Sequence, residues 1–294
     1  DNGQGKTNFL EAIHWLGHLR PLRTARVREL VRWQAKSAIV EGVVEQDSLT
    51  HRLKVSVENG VRQALLENKM TSALQYSGHL SVVLFTPSDL DLIKGAPEIR
   101  RRFIDRSIFN INRSFLGNFL HYRQALEARN ECLRRGVSED LLEVYEISMA
   151  NYGIEIMKIR AHQINLLTPY FEDTFRQITG FEGELRFGYR SIFNGLEEKS
   201  AQCFAATLKA SRATDQQRGF TQRGPHTDDL IFKMSEHSAK SFASQGQQRA
   251  LVLSMKIAEI LYFKEKKQEW PVLLLDDVSS CLLYTSPSPR DTNE

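Results

Sequence analysis

Cysteine is scarce in this sequence of 294 residues, and the three present, Cys132, Cys203 and Cys281, show no C-x-x-C spacing. That pattern argues against a disulfide framework and against a zinc site, and a reducing cytoplasm fits it best. Long apolar runs are lacking too. None reaches the roughly 18 residues that suggest a membrane span, and no basic-then-apolar signal peptide is present, so no membrane partner is expected. Net charge is only +3, so affinity for an acidic partner has to come from local arginine clusters rather than a global field. Proline is nearly absent from about 98 to 179, where Leu, Glu, Arg and Ala dominate. An initiating methionine is also lacking, which reads as a fragment or processed chain.

What is there begins at the first residue. Asp1-Asn2-Gly3-Gln4-Gly5-Lys6-Thr7 fits the end of G-x-x-x-x-G-K-[ST], with the first glycine expected one position before Asp1. Gly3 and Gly5 let successive N–H groups curl inward at phosphate oxygens. Lys6 brings the charge for the β- and γ-phosphates, Thr7 offers a hydroxyl to Mg²⁺, and the helix beginning there turns its positive end to the anion. The plainer alternative is a glycine turn that starts a helix. Beyond it, Arg20, Arg23, Arg26, Arg28 and Arg32 form a dense positive segment, either a solvated surface or a set of phosphate contacts to nucleic acid.

Alternation in Ile39–Val44 and His51–Val57, with Glu58-Asn59-Gly60 between strand signals, predicts an antiparallel hairpin or meander. Ser81–Phe85 reads as a strand closed by Thr86-Pro87-Ser88-Asp89, a place for a nucleotide-sensing loop. From Glu98 to about Thr179, helical spacing predicts two long antiparallel helices turning at Gly136-Val137-Ser138. They form either a projecting arm or a compact layer on a sheet. Arg100, Arg101 and Arg102 open this stretch and are further DNA candidates. Strand signals return at Gly183–Tyr189. A helical segment at Leu196–Ala210, a polar connection at Ser211–Arg223 and a turn-to-strand at Gly224–Phe232 follow. His226 there is either a polar contact near a site or a turn cap.

Ser244-Gln245-Gly246-Gln247 opens an amphipathic helix. Ser244 supplies a hydroxyl, Gly246 an approachable N–H, and the helix end positive potential, which makes either a second anion site or an ordinary cap. Val272-Leu273-Leu274-Leu275-Asp276-Asp277 is an apolar run ending in two acids, a Walker B pattern that predicts a parallel strand covered on both faces. Asp276 would orient Mg²⁺, and Asp277 would act on the attacking water as general base.

These motifs, with Phe85-Thr86-Pro87-Ser88-Asp89-Leu90, Pro97, Arg101-Arg102-Phe103-Ile104-Asp105, Gly224-Pro225-His226, Ser244 to Arg249 and Leu275 to Ser280, resemble the RecF family over nearly the whole chain. The resemblance implies an α/β fold of the P-loop NTPase class: an ABC-type ATPase head, related to the heads of structural-maintenance-of-chromosomes proteins, with an inserted helical arm. Residues 1–97 and 181–280 would form the head and 98–180 the arm. It further implies ATP and Mg²⁺ as cofactors, with Asp1, Asn2, Gly3, Gln4, Gly5, Lys6 and Thr7 on one nucleotide. Ser244, Gly246 and Gln247 would face the partner's nucleotide in an ATP-dependent homodimer. Lys6, Asp276 and Asp277 would carry a weak ATPase, with Thr7 and Asp276 at the metal. The implied role is DNA repair, replication-fork maintenance and the SOS response, with binding to single- and double-stranded DNA at gaps or junctions. RecO and RecR are the implied partners in loading recombinase. Thr227 departs from the arginine of the family's Gly-Pro-His-Arg-Asp-Asp stretch, and residues 281–294 match nothing in the family and read as a non-native tail. Rival readings are a transporter's ATP-binding subunit, with a membrane partner and no DNA affinity, or a nucleotide-binding scaffold without turnover.

Overall fold

The computed structural model describes residues 5–22, 27–46 and 49–276. In chain order the elements are α1 (Lys6–His18), a 3₁₀ turn (Val27–Leu30), β1 (Ser37–Gln46), β2 (Leu49–Glu58), β3 (Val61–Leu66), β4 (Lys69–Met70), α2 (Ala73–Tyr76) and β5 (Val82–Phe85). A 3₁₀ turn (Pro87–Leu90), α3 (Asp91–Lys94), α4 (Pro97–Ile111), α5 (Arg113–Arg135), α6 (Glu139–Thr179) and β6 (Leu185–Arg190) follow. After a further 3₁₀ turn (Leu196–Glu198) come α7 (Ala201–Ala210), α8 (Arg212–Arg218), β7 (Asp229–Met234), β8 (His237–Ser238), α9 (Ala239–Phe242), α10 (Gln245–Lys267) and β9 (Val272–Leu275). The chain divides into two compact units, one of residues 1–89 and 259–294, the other of 90–258.

In the first unit α1 is buried on two faces. Leu10 and Ile13 pack on Val82, Leu84 and Leu274 of the parallel pair β5–β9. Trp15, Leu16 and Leu19 pack on Leu53, Val55 and Val57, the inward residues of β2. The predicted meander is present as the antiparallel order β1-β2-β3-β4. Glu58 faces Val61 across a two-residue turn in which Asn59 and Gly60 have φ 51° and 77°, the twist that suits a tight hairpin. The double coverage expected of the Val272–Leu275 run is not found. Only Leu274 is buried, while Val272, Leu273 and Leu275 are 41, 45 and 51% exposed, and among the described residues β9 pairs with β5 alone.

The second unit corrects the helix count. Between about 98 and 179 the structure has α4, α5 and α6 rather than two helices. Asn112 makes the extra break: its backbone is extended (φ −121°, ψ 98°), and its side chain accepts a hydrogen bond from Ser114 N at 3.0 Å, capping α5. The turn at Gly136 and Ser138 falls where expected, Gly136 closing α5 in the left-handed conformation. The 41-residue α6 runs through Pro169. Its fully buried Phe171 packs on Phe187 and Phe232 at ring-centroid distances of 5.6 and 6.0 Å, so this end of the helix is a layer on the antiparallel sheet β6-β7-β8.

The 211–223 stretch, polar in sequence, holds α8. What orders it is a buried guanidinium. All five N–H donors of Arg129 on α5 are engaged: two to Glu146 Oε1 on α6 (3.2 and 3.1 Å), and one each to Asp215 Oδ2 on α8 (2.8 Å), Thr221 Oγ1 (2.7 Å) and Leu208 O (3.1 Å). Arg129 and Asp215 have no exposed surface. Removing the cation leaves the buried Asp215 carboxylate without a counter-charge, while Glu146 keeps its pair with Arg212 at 2.7 Å, so Arg129→Ala should cost about 3–5 kcal/mol. Arg123→Ala, which breaks the exposed pair with Glu127, should cost about 0–1 kcal/mol. Urea unfolding of both variants checks this, and equal midpoints would contradict it.

Candidate functional site

The start of α1 has the features of an anion seat. Gly5, its N-cap, is left-handed (φ 76°, ψ 11°), and a β-carbon placed there would meet nothing within 4 Å. Among the described residues no side chain caps α1, and its first turn has no acidic residue. By contrast α7 is closed by Ser200, which accepts from Cys203 N. The first N–H groups of α1 thus have no side-chain cap among the described residues, at the positive end of the helix dipole. Lys6 is exposed beside them. Thr7 Oγ1 lies 3.4 Å from Asp276 Oδ1, joining residues 269 positions apart. Asp276 is held at the end of β9 by its N–H, which donates to Phe85 O at 2.9 Å. At the end of β5, Asp89 Oδ2 accepts from Thr86 N (2.7 Å), and the Thr86 and Ser88 hydroxyls pair at 2.8 Å. Three hydroxyls and two carboxylates, those of Asp89 and Asp276, thus collect at the carboxyl ends of two parallel strands, where ligands of such sheets bind. A hydroxyl beside a carboxylate suits a hard cation such as Mg²⁺. Among the described residues no group of three or more His, Cys, Asp or Glu stands ready to hold a metal.

Asp1, Asn2, Gly3, Gln4 and Asp277, expected at the same site, lie outside the described residues, as do Arg23, Arg26 and the stretch from 281 onward. In the second unit, Ser244 and Gln247 form a reciprocal cap at the start of α10: Ser244 Oγ accepts from Gln247 N (3.2 Å) and Gln247 Oε1 from Ser244 N (2.8 Å). Ser244 and Gly246 are exposed, and nothing but the Ser244 hydroxyl comes within 4 Å of a side chain built on Gly246.

The arginine candidates separate. Arg20, Arg28 and Arg32 are exposed. Arg102 is exposed and paired with Glu98 at 3.8 Å. Arg100 is a correction: it is buried, clamps Asp229 with two bonds of 2.7 and 3.1 Å and reaches the carbonyls of Leu92 and Gly95, so no donor face is left for a phosphate. Arg101 is turned inward too, donating to Asp228 O at 2.5 Å.

No protein-family model matches the chain. Among curated relatives, the DNA replication and repair protein RecF of Myxococcus xanthus (strain DK1622) is 42% identical over 288 residues, 95% of this chain and 76% of that protein. RecF of Clostridium perfringens (strain 13 / Type A) is 36% identical over 283 residues, covering 95% and 78%. The chain belongs to the RecF family. A solved structure of the recombination mediator protein RecF-ATP in the RecFOR pathway superposes with TM-score 0.89 at 29% identity, covering 96% of this chain and 78% of that one. The fold is accordingly the α/β P-loop fold of an ABC-type ATPase head.

The RecF-like stretch Gly224-Pro225-His226-Thr227-Asp228-Asp229 is clasped from several elements. Arg160 on α6 grips Asp105 on α4 with bonds of 2.7 and 2.9 Å and donates to Pro225 O at 2.6 Å. Burial pulls its guanidinium down, but Asp105 and Tyr189 together hold it above its ordinary value. His226 Nε2 faces Thr221 O at 3.0 Å, and a carbonyl only accepts, so Nε2 carries the proton and Nδ1 accepts from the Tyr122 hydroxyl at 2.6 Å. Both ring nitrogens are used within the fold, and burial pushes the His226 pKa down, which favours this neutral ring. Gly224 (φ 141°) admits no β-carbon, since one would stand 2.5 Å from the Tyr122 oxygen. Thr227 closes the turn, its N–H and hydroxyl donating to Gly224 O at 2.9 and 2.8 Å. Tyr122, Arg160 and Tyr189 escaped sequence reading because they stand outside every motif and meet the stretch only through the fold.

Asp228 accepts from the Tyr189 hydroxyl through one oxygen, while its buried Oδ1 has no hydrogen-bond partner among the described residues. Desolvation raises its pKa to about 6. For an acid raised on folding, the associated stability is present below its unfolded value near 3.8 and is lost as pH rises through about 6. Asp228→Asn should therefore remove a stability loss on the order of 1–3 kcal/mol between pH 4 and 7. Unfolding midpoints across that range, compared with the parent chain, check it, and parallel profiles would count against it.

Proposed function

We propose that the chain is an ATP-dependent DNA-binding protein of recombinational repair, in which nucleotide joins two copies and the dimer acts with RecO and RecR to load recombinase on gapped DNA. The observation that carries this is the uncapped, acid-free start of α1 with Thr7 set against Asp276. Similarity to a RecF-ATP structure in the RecFOR pathway supports the nucleotide and the pathway. In this reading Gly5 and its neighbours wrap the phosphates, Lys6 neutralises the terminal ones, and Thr7 and Asp276 hold the metal. Asp277 takes the proton of the attacking water, and Ser244, Gly246 and Gln247 face the nucleotide of the partner copy. ATP with Mg²⁺ supplies, when bound, the charge on which two heads converge. Slow hydrolysis resets the dimer. The exposed Arg20, Arg28, Arg32 and Arg102, with Arg23 and Arg26, are the phosphate contacts of the DNA surface.

Sedimentation of the full-length protein with and without Mg-ATP tests this. ATP is expected to drive both dimerisation and DNA binding in the parent protein, and Lys6→Ala to abolish both. If ATP binds with neither effect, a scaffold or transporter-type role replaces the DNA reading.

A further inference from the structure

Trp33 is 95% exposed, in contrast to Trp15 at 2%. It occupies a tight turn in which Ala35 N donates to Arg32 O at 2.9 Å and Gln34 takes a left-handed φ of 68°. A residue with a side chain rarely adopts that conformation, so the turn next to Trp33 carries a local cost. The turn leads directly into β1, whose register on β2 starts with Ser37 opposite Glu58, so the ring projects from a braced edge. Among the described residues the indole has no ring partner, whereas the other exposed tryptophan, Trp270, has the Lys264 ammonium 5.5 Å from its ring centre. Arg28, Arg32 and Lys36, within five positions of it in sequence, are exposed and form no ion pair among the described residues, while Glu29 is the one acid between positions 28 and 36.

An exposed aromatic face flanked by cations matches the chemistry of unpaired nucleic acid: phosphates meet the cations and a base lies flat on the ring. A continuous duplex offers the phosphates but no free base face. We propose that Trp33 stacks on an unpaired base, so that this edge of the protein recognises the single-stranded side of a gap. The inference rests on the DNA-binding reading above and adds to it the part of the DNA that is read.

The test is binding of the full-length protein, with Mg-ATP, to a gapped duplex, a single-stranded oligonucleotide and a continuous duplex, for the parent, Trp33→Ala and Trp33→Phe. Trp33→Ala should weaken gapped and single-stranded binding about ten-fold, leave continuous duplex within about two-fold, and be largely rescued by Trp33→Phe. Indole fluorescence of the parent should be quenched by the single strand and not in Trp33→Phe. No loss, or an equal loss on all three DNAs, overturns the stacking role while the DNA-binding reading stands. A parent protein that binds none of the three overturns that reading and this one with it.

Discussion

The anion seat at the start of α1 depends on burial further along the same helix. Leu10 and Ile13 are committed to β5 and β9, and Trp15, Leu16 and Leu19 to β2, so α1 can neither roll nor slide without exposing one apolar face. A fully buried side chain such as Leu16 contributes on the order of 1.5–3 kcal/mol. That grip fixes where the uncapped first turn points. The parallel pairing of β5 with β9 then brings Thr86 and Asp276 to the same ends as Thr7. A side chain capping α1 would strengthen the helix and fill the place where an anion binds. The missing cap is tolerated because packing, rather than helix propensity, supplies the stability.

The second unit rests on a different constraint, that a guanidinium taken out of water must have its donors satisfied. Arg129, Arg160 and Arg100 each meet it by binding an acid from another element: Glu146 and Asp215, Asp105, and Asp229. The partners are far apart in sequence and correct only in one arrangement of α4, α5, α6, α8 and β7. Such pairs add little net stability over a well-packed apolar core, but each carries a large penalty when half of it is lost. They therefore weigh against alternative packings of the long helices, whose apolar stripes alone would tolerate a shifted register.

This constraint also separates what was legible in the sequence from what was not. Local signals transferred well: the glycine-lysine-threonine run opens a helix, alternation marks β2, Asn59-Gly60 turns the hairpin, and apolar strands end at Thr86 and Asp276. Charge did not transfer. Arg100 and Arg102 are alike in a sequence, and what distinguishes them is Asp229, 129 residues from Arg100, which only the fold brings within bonding distance. The same blindness hid α8, whose polar residues read as a loop until Asp215 is seen to be the partner of a buried arginine. Asn112 splits a helical stretch because its side chain competes for backbone N–H groups, a local effect that composition alone understates. The Val272–Leu275 run shows the converse, since apolar character gave the strand and said nothing about how many neighbours it has.

The two sequence readings of Ser244, an ordinary cap and an anion contact, turn out to be chemically compatible. In the cap its oxygen accepts from Gln247 N, which uses a lone pair and leaves the hydroxyl hydrogen available. That hydrogen can donate to an anion without dismantling the cap. Gln247 meanwhile holds Ser244 N, so the backbone at the helix start is already in place before any ligand arrives. A capped serine with an open Gly246 beside it is thus a pre-organised donor, and little ordering would be needed for it to meet an anion. The uncapped α1 and the capped α10 are two solutions to the same problem at a helix start: one leaves backbone N–H groups open for the anion, the other closes them with a side chain that still has a proton to give.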